Sequence, residues 1–169
     1  ADNSVMLAGG GTDSAEFFDP NTFTFTLAPN PMTAARTGHS AIATDEGKLL
    51  FFGGDAGYTV ERFDPATETF SLAATLGVES STATLLANEK ILVLGPALAG
   101  VYVPATDQME ALADASPLQR SGHTATELPG DKTILVAGGV NSSNEFVAAA
   151  AVFNPAHIET DLDDYPPGG

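Results

Sequence analysis

The chain has no cysteine and no tryptophan, and only 6 of its 169 residues are lysine or arginine. Each scarcity excludes something. Without cysteine there are no disulfides, no zinc–thiolate centres and no thiol nucleophile. With 22 acidic residues against 6 basic ones, the formal net charge is −16. Such a chain repels phosphate backbones and anionic membranes, so nucleic acid is not an expected partner. The acidity is read as a solvated surface rather than as cation binding or adaptation to salt. No apolar stretch is long enough for a helical membrane span. Long helix-period stretches are missing too, while glycine (17) and proline (11) are plentiful. That combination points to an all-β chain. Ala1-Asp2-Asn3 opens almost directly into an apolar run, so no signal peptide is read, and a trimmed or partial chain is expected.

What is present is a repeat of about 42 residues. An apolar run ending in paired glycines appears as Val5-Met6-Leu7-Ala8-Gly9-Gly10 and as Leu49-Leu50-Phe51-Phe52-Gly53-Gly54. It returns as the worn Ile91-Leu92-Val93-Leu94-Gly95-Pro96 and as Ile134-Leu135-Val136-Ala137-Gly138-Gly139. The first glycines are 44, 42 and 43 residues apart. A second signature, Arg36-Thr37-Gly38-His39-Ser40-Ala41, matches Arg120-Ser121-Gly122-His123-Thr124-Ala125, with a degraded copy at Val78–Ala83. A third is an aromatic followed by a turn: Phe18-Asp19-Pro20, Phe63-Asp64-Pro65, Tyr102-Val103-Pro104 and Phe153-Asn154-Pro155. A second apolar residue follows in three copies, Phe25, Phe70 and Met109. Lys48, Lys90 and Lys132 keep the same 42-residue period. Self-similarity at this period means stacked modules.

The runs before the glycine pairs are apolar at consecutive positions, as in strands covered on both faces. Thr22-Phe23-Thr24-Phe25-Thr26-Leu27 alternates with period two. Turn chemistry at Asp19-Pro20-Asn21, Asp45-Glu46-Gly47, Asp64-Pro65-Ala66 and Pro129-Gly130-Asp131 separates the strands. One repeat then holds four strands. In the second copy they are expected at Ser40–Thr44, Lys48–Phe52, Thr59–Phe63 and Thr69–Leu72. In the third they are expected at Thr82–Ala87, Lys90–Leu94, Gly100–Val103 and Gln108–Leu112. Four short strands are too small a sheet to stand alone and must bury a face against neighbouring copies, as propeller blades do.

The order R-x-G-H-[ST]-A, apolar run, Gly-Gly, aromatic-Asp-Pro and a later aromatic resembles the kelch repeat of β-propellers. The resemblance covers roughly residues 4 to 155. It implies blades of four-stranded antiparallel sheets over residues 1–160, with breaks near 30, 75 and 115, and an acidic Pro/Gly tail at 161–169. The segment His157–Thr160 is a candidate last strand. Tryptophan, usual at the second aromatic position, is absent, and the third copy lacks the Arg, the His and the second glycine. Two complete blades lie between two partial ones. The ring is therefore expected to be incomplete or completed by an oligomer: a second copy, or the remaining blades of a larger propeller.

Each candidate residue carries a structural and a functional reading. His39 and His123 have the chemistry of bases or metal ligands. They share one repeat position, which fits hydrogen bonding between strands instead. Arg36 and Arg120 follow the same logic, as partners of backbone carbonyls or repeat carboxylates. Gly53, Gly54, Gly138 and Gly139 lack the Lys-Ser/Thr and the helix of a phosphate loop, so they are assigned to close backbone approach or positive φ. His157 falls outside the repeat and is read as a surface residue. Asp161, Asp163 and Asp164 lack the spacing of a calcium loop, so no metal site is assigned. There is no Gly-x-Ser-x-Gly elbow, and no catalytic residue is assigned. No cofactor is expected. The copper site of the kelch-type galactose oxidase needs a Tyr–Cys crosslink, which a cysteine-free chain cannot make.

Binding is expected on the loops after the glycine pairs, Gly11–Ser14, Asp55–Tyr58, Ala97–Ala99 and Val140–Phe146. Tyr58 and Phe146 are the aromatics best placed for contact. Asn141 opens an Asn-Ser-Ser glycosylation sequon in an exposed loop. The resemblance implies a non-catalytic structural or interaction module for a protein or glycan, with self-assembly as one route. A location outside the cell or at its surface follows the likeness to secreted bacterial kelch-type proteins. The alternatives are a carbohydrate-binding domain or a sugar-acting enzyme of the mutarotase kind. In the enzyme, Arg36, His39, Arg120 and His123 would face a carboxylated sugar.

Overall fold

A computed structural model describes residues 4–80, 82–112 and 115–157, and the structural statements below concern those residues. They form fourteen strands in four antiparallel sheets, and the chain divides into two compact units at Gly77/Val78. Two turns of 3-10 helix, Ser116–Leu118 and Pro155–His157, are the helical elements among them.

The first unit holds two sheets. One is β1 (Val5–Ala8), β2 (Ala15–Asp19) and β3 (Thr24–Leu27), in that order. The other is β4 (Ser40–Ala43), β5 (Leu49–Phe52), β6 (Thr59–Asp64) and β7 (Thr69–Thr75). The second unit also holds two. The four-stranded one is β8 (Thr82–Leu85), β9 (Ile91–Gly95), β10 (Leu98–Val103) and β11 (Gln108–Ala111). The three-stranded one is β12 (Thr124–Glu127), β13 (Ile134–Ala137) and β14 (Ala151–Phe153). Every sheet is a meander of neighbours in sequence, with the size and order of a propeller blade. The first begins at the second strand of the repeat and the last stops at the third.

The repeat signatures turn out to be cross-strand pairs. Phe18 lies opposite Phe25, Phe63 opposite Phe70 and Tyr102 opposite Met109. The two phenylalanine pairs have ring centroids 4.9 and 4.7 Å apart, within the range where tilted aromatic packing adds to burial. The Asp or Asn after each phenylalanine closes the next turn by accepting a backbone N–H two residues on. Asp19 takes that of Asn21, Asp64 that of Ala66 and Asn154 that of Ala156. Val103 has no such side chain. There the Tyr102 hydroxyl donates to Asp107 across the turn instead.

Three of the four apolar runs are the central strands of their sheets, as their lack of alternation predicts, whereas Val5–Ala8 is corrected: it is the outer strand of its sheet, with Val5 52% and Leu7 47% exposed. Leu50, Phe51 and Phe52 are buried in the first unit, and Ile91 through Leu94 in the second. In the second unit Leu92, Leu94, Val101, Leu118, Ile134, Val136 and Phe153 form one core between its two sheets. In the first, the Phe17 ring meets Phe63 of the neighbouring sheet at 5.8 Å.

Two further expectations are corrected. Leu98 and Ala99 belong to β10 rather than to a loop, so the connection after the third apolar run is only Pro96-Ala97. Gly95 then makes alone the approach that the second glycine makes in the second and fourth copies. A Cβ on Gly95 would stand 2.1 Å from the Glu79 carbonyl oxygen, just as one on Gly54 would stand 2.7 Å from that of Thr37. The missing second glycine is thus a shortened hairpin. His157 closes a 3-10 turn rather than opening a strand. The rest of the expected last strand and the tail at 161–169 lie outside the described residues.

Candidate functional site

Arg36 is the centre of a hydrogen-bonded cluster in the first unit. It is 1% exposed and sits four residues ahead of β4. Its Nε donates to Glu61 Oε2 at 3.0 Å. One terminal nitrogen donates to the Gly53 carbonyl at 2.7 Å, to Asp55 Oδ1 at 2.9 Å and to the Thr59 carbonyl at 3.2 Å. The other donates to the Thr59 hydroxyl at 2.7 Å. Glu61, fully buried on β6, also accepts the Thr33 backbone N–H through Oε1. Burial pulls the Asp55 carboxyl upward. The Thr59 N–H and hydroxyl and the Arg36 charge more than offset that, leaving it below the ordinary carboxylate value. This is a closed knot: one guanidinium clamps the loop after the glycine pair to its own sheet.

Arg120, 2% exposed, holds the same repeat position with different partners. It donates to the carbonyls of Gly138 at 3.2 Å, Ala149 at 2.9 Å and Pro117. Counting back from the Phe-Asp/Asn-Pro turns, Ala151 stands where Glu61 does and Ala149 where Thr59 does. Pro117 stands where Thr33 does, three residues ahead of the arginine. Thr33 has an N–H that needs the Glu61 carboxylate, whereas proline has none. Donor and acceptor are therefore both absent from the fourth copy. Arg120 Nε is left without a hydrogen-bond partner, and burial depresses the guanidinium's pKa.

His123 Nε2 lies 2.8 Å from the Thr82 hydroxyl of β8, so it links the two sheets of the second unit. His39 has no such partner, and its ring rests against Phe51 at 5.6 Å. Nδ1 of both rings is buried without a hydrogen bond. Burial first, then the charge of Arg36 or Arg120, holds both imidazoles below the ordinary histidine value. The paired glycines serve the same strand. A Cβ on Gly139 would stand 2.5 Å from the Ser121 carbonyl and 3.1 Å from His123 Cβ.

The loop residues are placed differently. Tyr58, half-exposed, belongs to the first unit and has φ 50°. Asn141 and Phe146 belong to the second. Asn141 Oδ1 accepts the N–H groups of Ser143 and Glu145, each at 3.0 Å, and its Nδ2 donates to Glu145 at 3.0 Å. Val140 bridges Ser121 on one side and Phe146 on the other. The loop is thus bolted from within, and it presents a Phe146 side chain that is 93% exposed.

A cleft of about 400 Å³ lies in the first unit, lined by Ser4, Phe17, Asp19, Asn21, Thr26, Pro65 and Glu68. Tyr58, Asn141 and Phe146, the residues expected to bind, do not line it. Asp19 is committed to its turn, and hydrogen bonds from Asn21 and Thr22 hold its carboxyl below the ordinary value. Among the described residues no group of three or more His, Asp or Glu could hold a metal ion. No helix there is long and apolar enough to cross a membrane. Glu61, Asp55 and Thr59 were not singled out from sequence. A signal was present, since Glu16 and Glu61 both stand two residues before Phe-Asp-Pro.

Compared with known protein-family models and with curated proteins, the chain matches none.

Proposed function

We propose that this chain is a kelch-like propeller segment acting as a non-catalytic interaction module outside the cell or at its surface. Its loops present contacts to a protein or a glycan. The observation that carries this reading is Phe146: a large apolar side chain almost wholly in water, on a loop whose backbone is fixed by Asn141. Exposed aromatics on pre-ordered loops are the usual anchors of recognition, because little ordering is left to do on binding. Supporting it, the guanidinium groups that an enzyme would offer a carboxylated sugar are instead spent on backbone and carboxylates of their own sheets.

The test is to probe printed glycan and peptide arrays with the labelled chain and with Phe146→Ala. Retention on a defined subset, lost in the variant at unchanged thermal stability, is expected. An identical pattern from both proteins would remove Phe146 from recognition.

A further inference from the structure

The copies of the repeat keep or lose the charges of the Arg36 knot in different ways. In the second copy, Arg36 and all its partners lie between Thr33 and Glu61. In the third, Val78 stands in place of Arg36 and Gly100 in place of Glu61, so cation and anion are gone together. In the fourth only the anions are gone. Arg120 is buried, while Val140 replaces Asp55, Ala149 replaces Thr59 and Ala151 replaces Glu61. The matching stretch, residues 117–151, is described throughout, so the mismatch belongs to this copy itself.

Two needs of Arg120 are unmet. Its Nε–H has no acceptor, and its charge has no carboxylate partner among the described residues; its three partners are neutral carbonyls. A water molecule would satisfy the hydrogen bond but not the charge, whereas a small anion satisfies both. Ala151 narrows the choice. Beyond its Cβ a glutamate carries the atoms of an acetate ion, so alanine and acetate together make up the side chain found at Glu61. Ala151 also packs against the apolar core between the two sheets of its unit. The matching ligand is therefore anionic at one end and apolar at the other.

We infer that Arg120 and Ala151 form a binding site for a short-chain carboxylate such as acetate. The carboxylate accepts the Arg120 Nε–H, as Glu61 Oε2 accepts that of Arg36 at 3.0 Å, and the methyl group rests on Ala151. Pro117 has no N–H for the second oxygen, where Glu61 takes that of Thr33. The ligand is thus held by fewer bonds than the glutamate and exchanges with solution. The net charge of −16 opposes its approach, but salt screens that long-range repulsion while a buried contact persists. The inference does not depend on Phe146 taking a ligand.

The test measures the urea midpoint of the whole chain in sodium acetate, chloride and gluconate at one ionic strength, at about pH 7.5, where the histidines are neutral. Acetate should raise the midpoint saturably, as a ligand of the folded state does. Chloride lacks the apolar end and gluconate is too large, so both should act by screening alone. Saturation-transfer NMR should show the acetate methyl in contact with the folded chain. Arg120→Met should lose that signal, and Phe146→Ala should keep it. Ala151→Glu supplies the carboxylate in tethered form. Its midpoint in gluconate should exceed that of the wild type, and its affinity for acetate should fall at least about tenfold. An equal rise in all three salts, no contact with the methyl group, a lower midpoint for Ala151→Glu in gluconate, or an acetate response unchanged by that substitution would each overturn the proposal.

Discussion

Glu89 holds φ at 65° in the turn between β8 and β9, and its repeat counterpart Gly47 holds 76° in the turn between β4 and β5. Both donate their N–H to the residue three back, Gly47 to Thr44 at 2.9 Å and Glu89 to Leu86 at 3.0 Å. The turn is the same, and only one copy has the residue suited to a left-handed conformation. Glu89→Gly should therefore stabilise the chain by about 0.5–1 kcal/mol, the steric relief exceeding glycine's entropic cost, as read from the urea midpoint. A lower midpoint would mean that the Glu89 side chain has a role of its own. The two buried arginines make a sharper contrast. Arg36→Met leaves Glu61 and Asp55 without their cation and should cost about 3–5 kcal/mol. Arg120→Met strands only carbonyl groups and removes a cation with no carboxylate partner, so about 1–3 kcal/mol is expected. Equal losses at the two positions would show that the carboxylates of the first knot contribute nothing beyond backbone bonding.

At the scale of strands and sheets, the histidines give a pH dependence. His39 and His123 are held below the ordinary value of 6.5, first by burial and then by their arginine neighbours. The unfolded chain takes up a proton there that the folded chain resists. The stability contributed by the neutral rings is therefore whole above about pH 6.5 and is lost as pH falls through the folded values. The structurally committed aspartates sit below the ordinary carboxylate value, so their own loss comes later, below about pH 4. Melting temperature should thus fall between about pH 7 and pH 5, and His123→Gln should flatten that slope. A slope untouched by the substitution would place the titration elsewhere. The strands themselves were largely legible in the sequence. The expected Ser40–Thr44, Lys48–Phe52 and Thr69–Leu72 differ from β4, β5 and β7 by at most three residues at either end. This worked because apolar runs and Asp-Pro turns are local signals. The knot around Arg36 was half legible. Repeat position marked the arginine, but Val60-Glu61-Arg62 looks like an ordinary polar strand edge. Its carboxylate is buried by a residue 25 positions earlier that reaches it only once β4 lies on β5. The Thr82 hydroxyl opposite His123 was hidden for the same reason, 41 residues and one sheet away.

For the whole molecule the governing quantity is charge. Its 22 acidic residues outnumber the basic ones by 16, and both arginines with a central structural role are spent in the interior. On the surface the period-42 lysines each hold one carboxylate: Lys48 with Asp64, Lys90 with Glu110 at 2.7 Å and Lys132 with Glu127 at 2.7 Å. Added salt acts on these two populations in opposite directions. It weakens the three exposed pairs, which are worth little to begin with. It also screens the repulsion among the many unpaired carboxylates, which acts over longer distances and favours the expanded chain. Screening shortens from about 10 Å at 0.1 M to about 3 Å at 1 M, so long-range repulsion is reduced first while pairs in contact persist. The Arg36–Glu61 contact at 3.0 Å is shut away from ions and changes least. The urea midpoint should therefore rise as sodium chloride is increased from about 0.02 M to about 0.5 M; guanidinium would mask the effect, being itself a salt. A triple variant lacking the three lysines should start lower and gain more from salt, because its uncompensated charge is larger. A midpoint that fell with salt would show instead that the three lysine pairs, and not net repulsion, set the electrostatics of this fold.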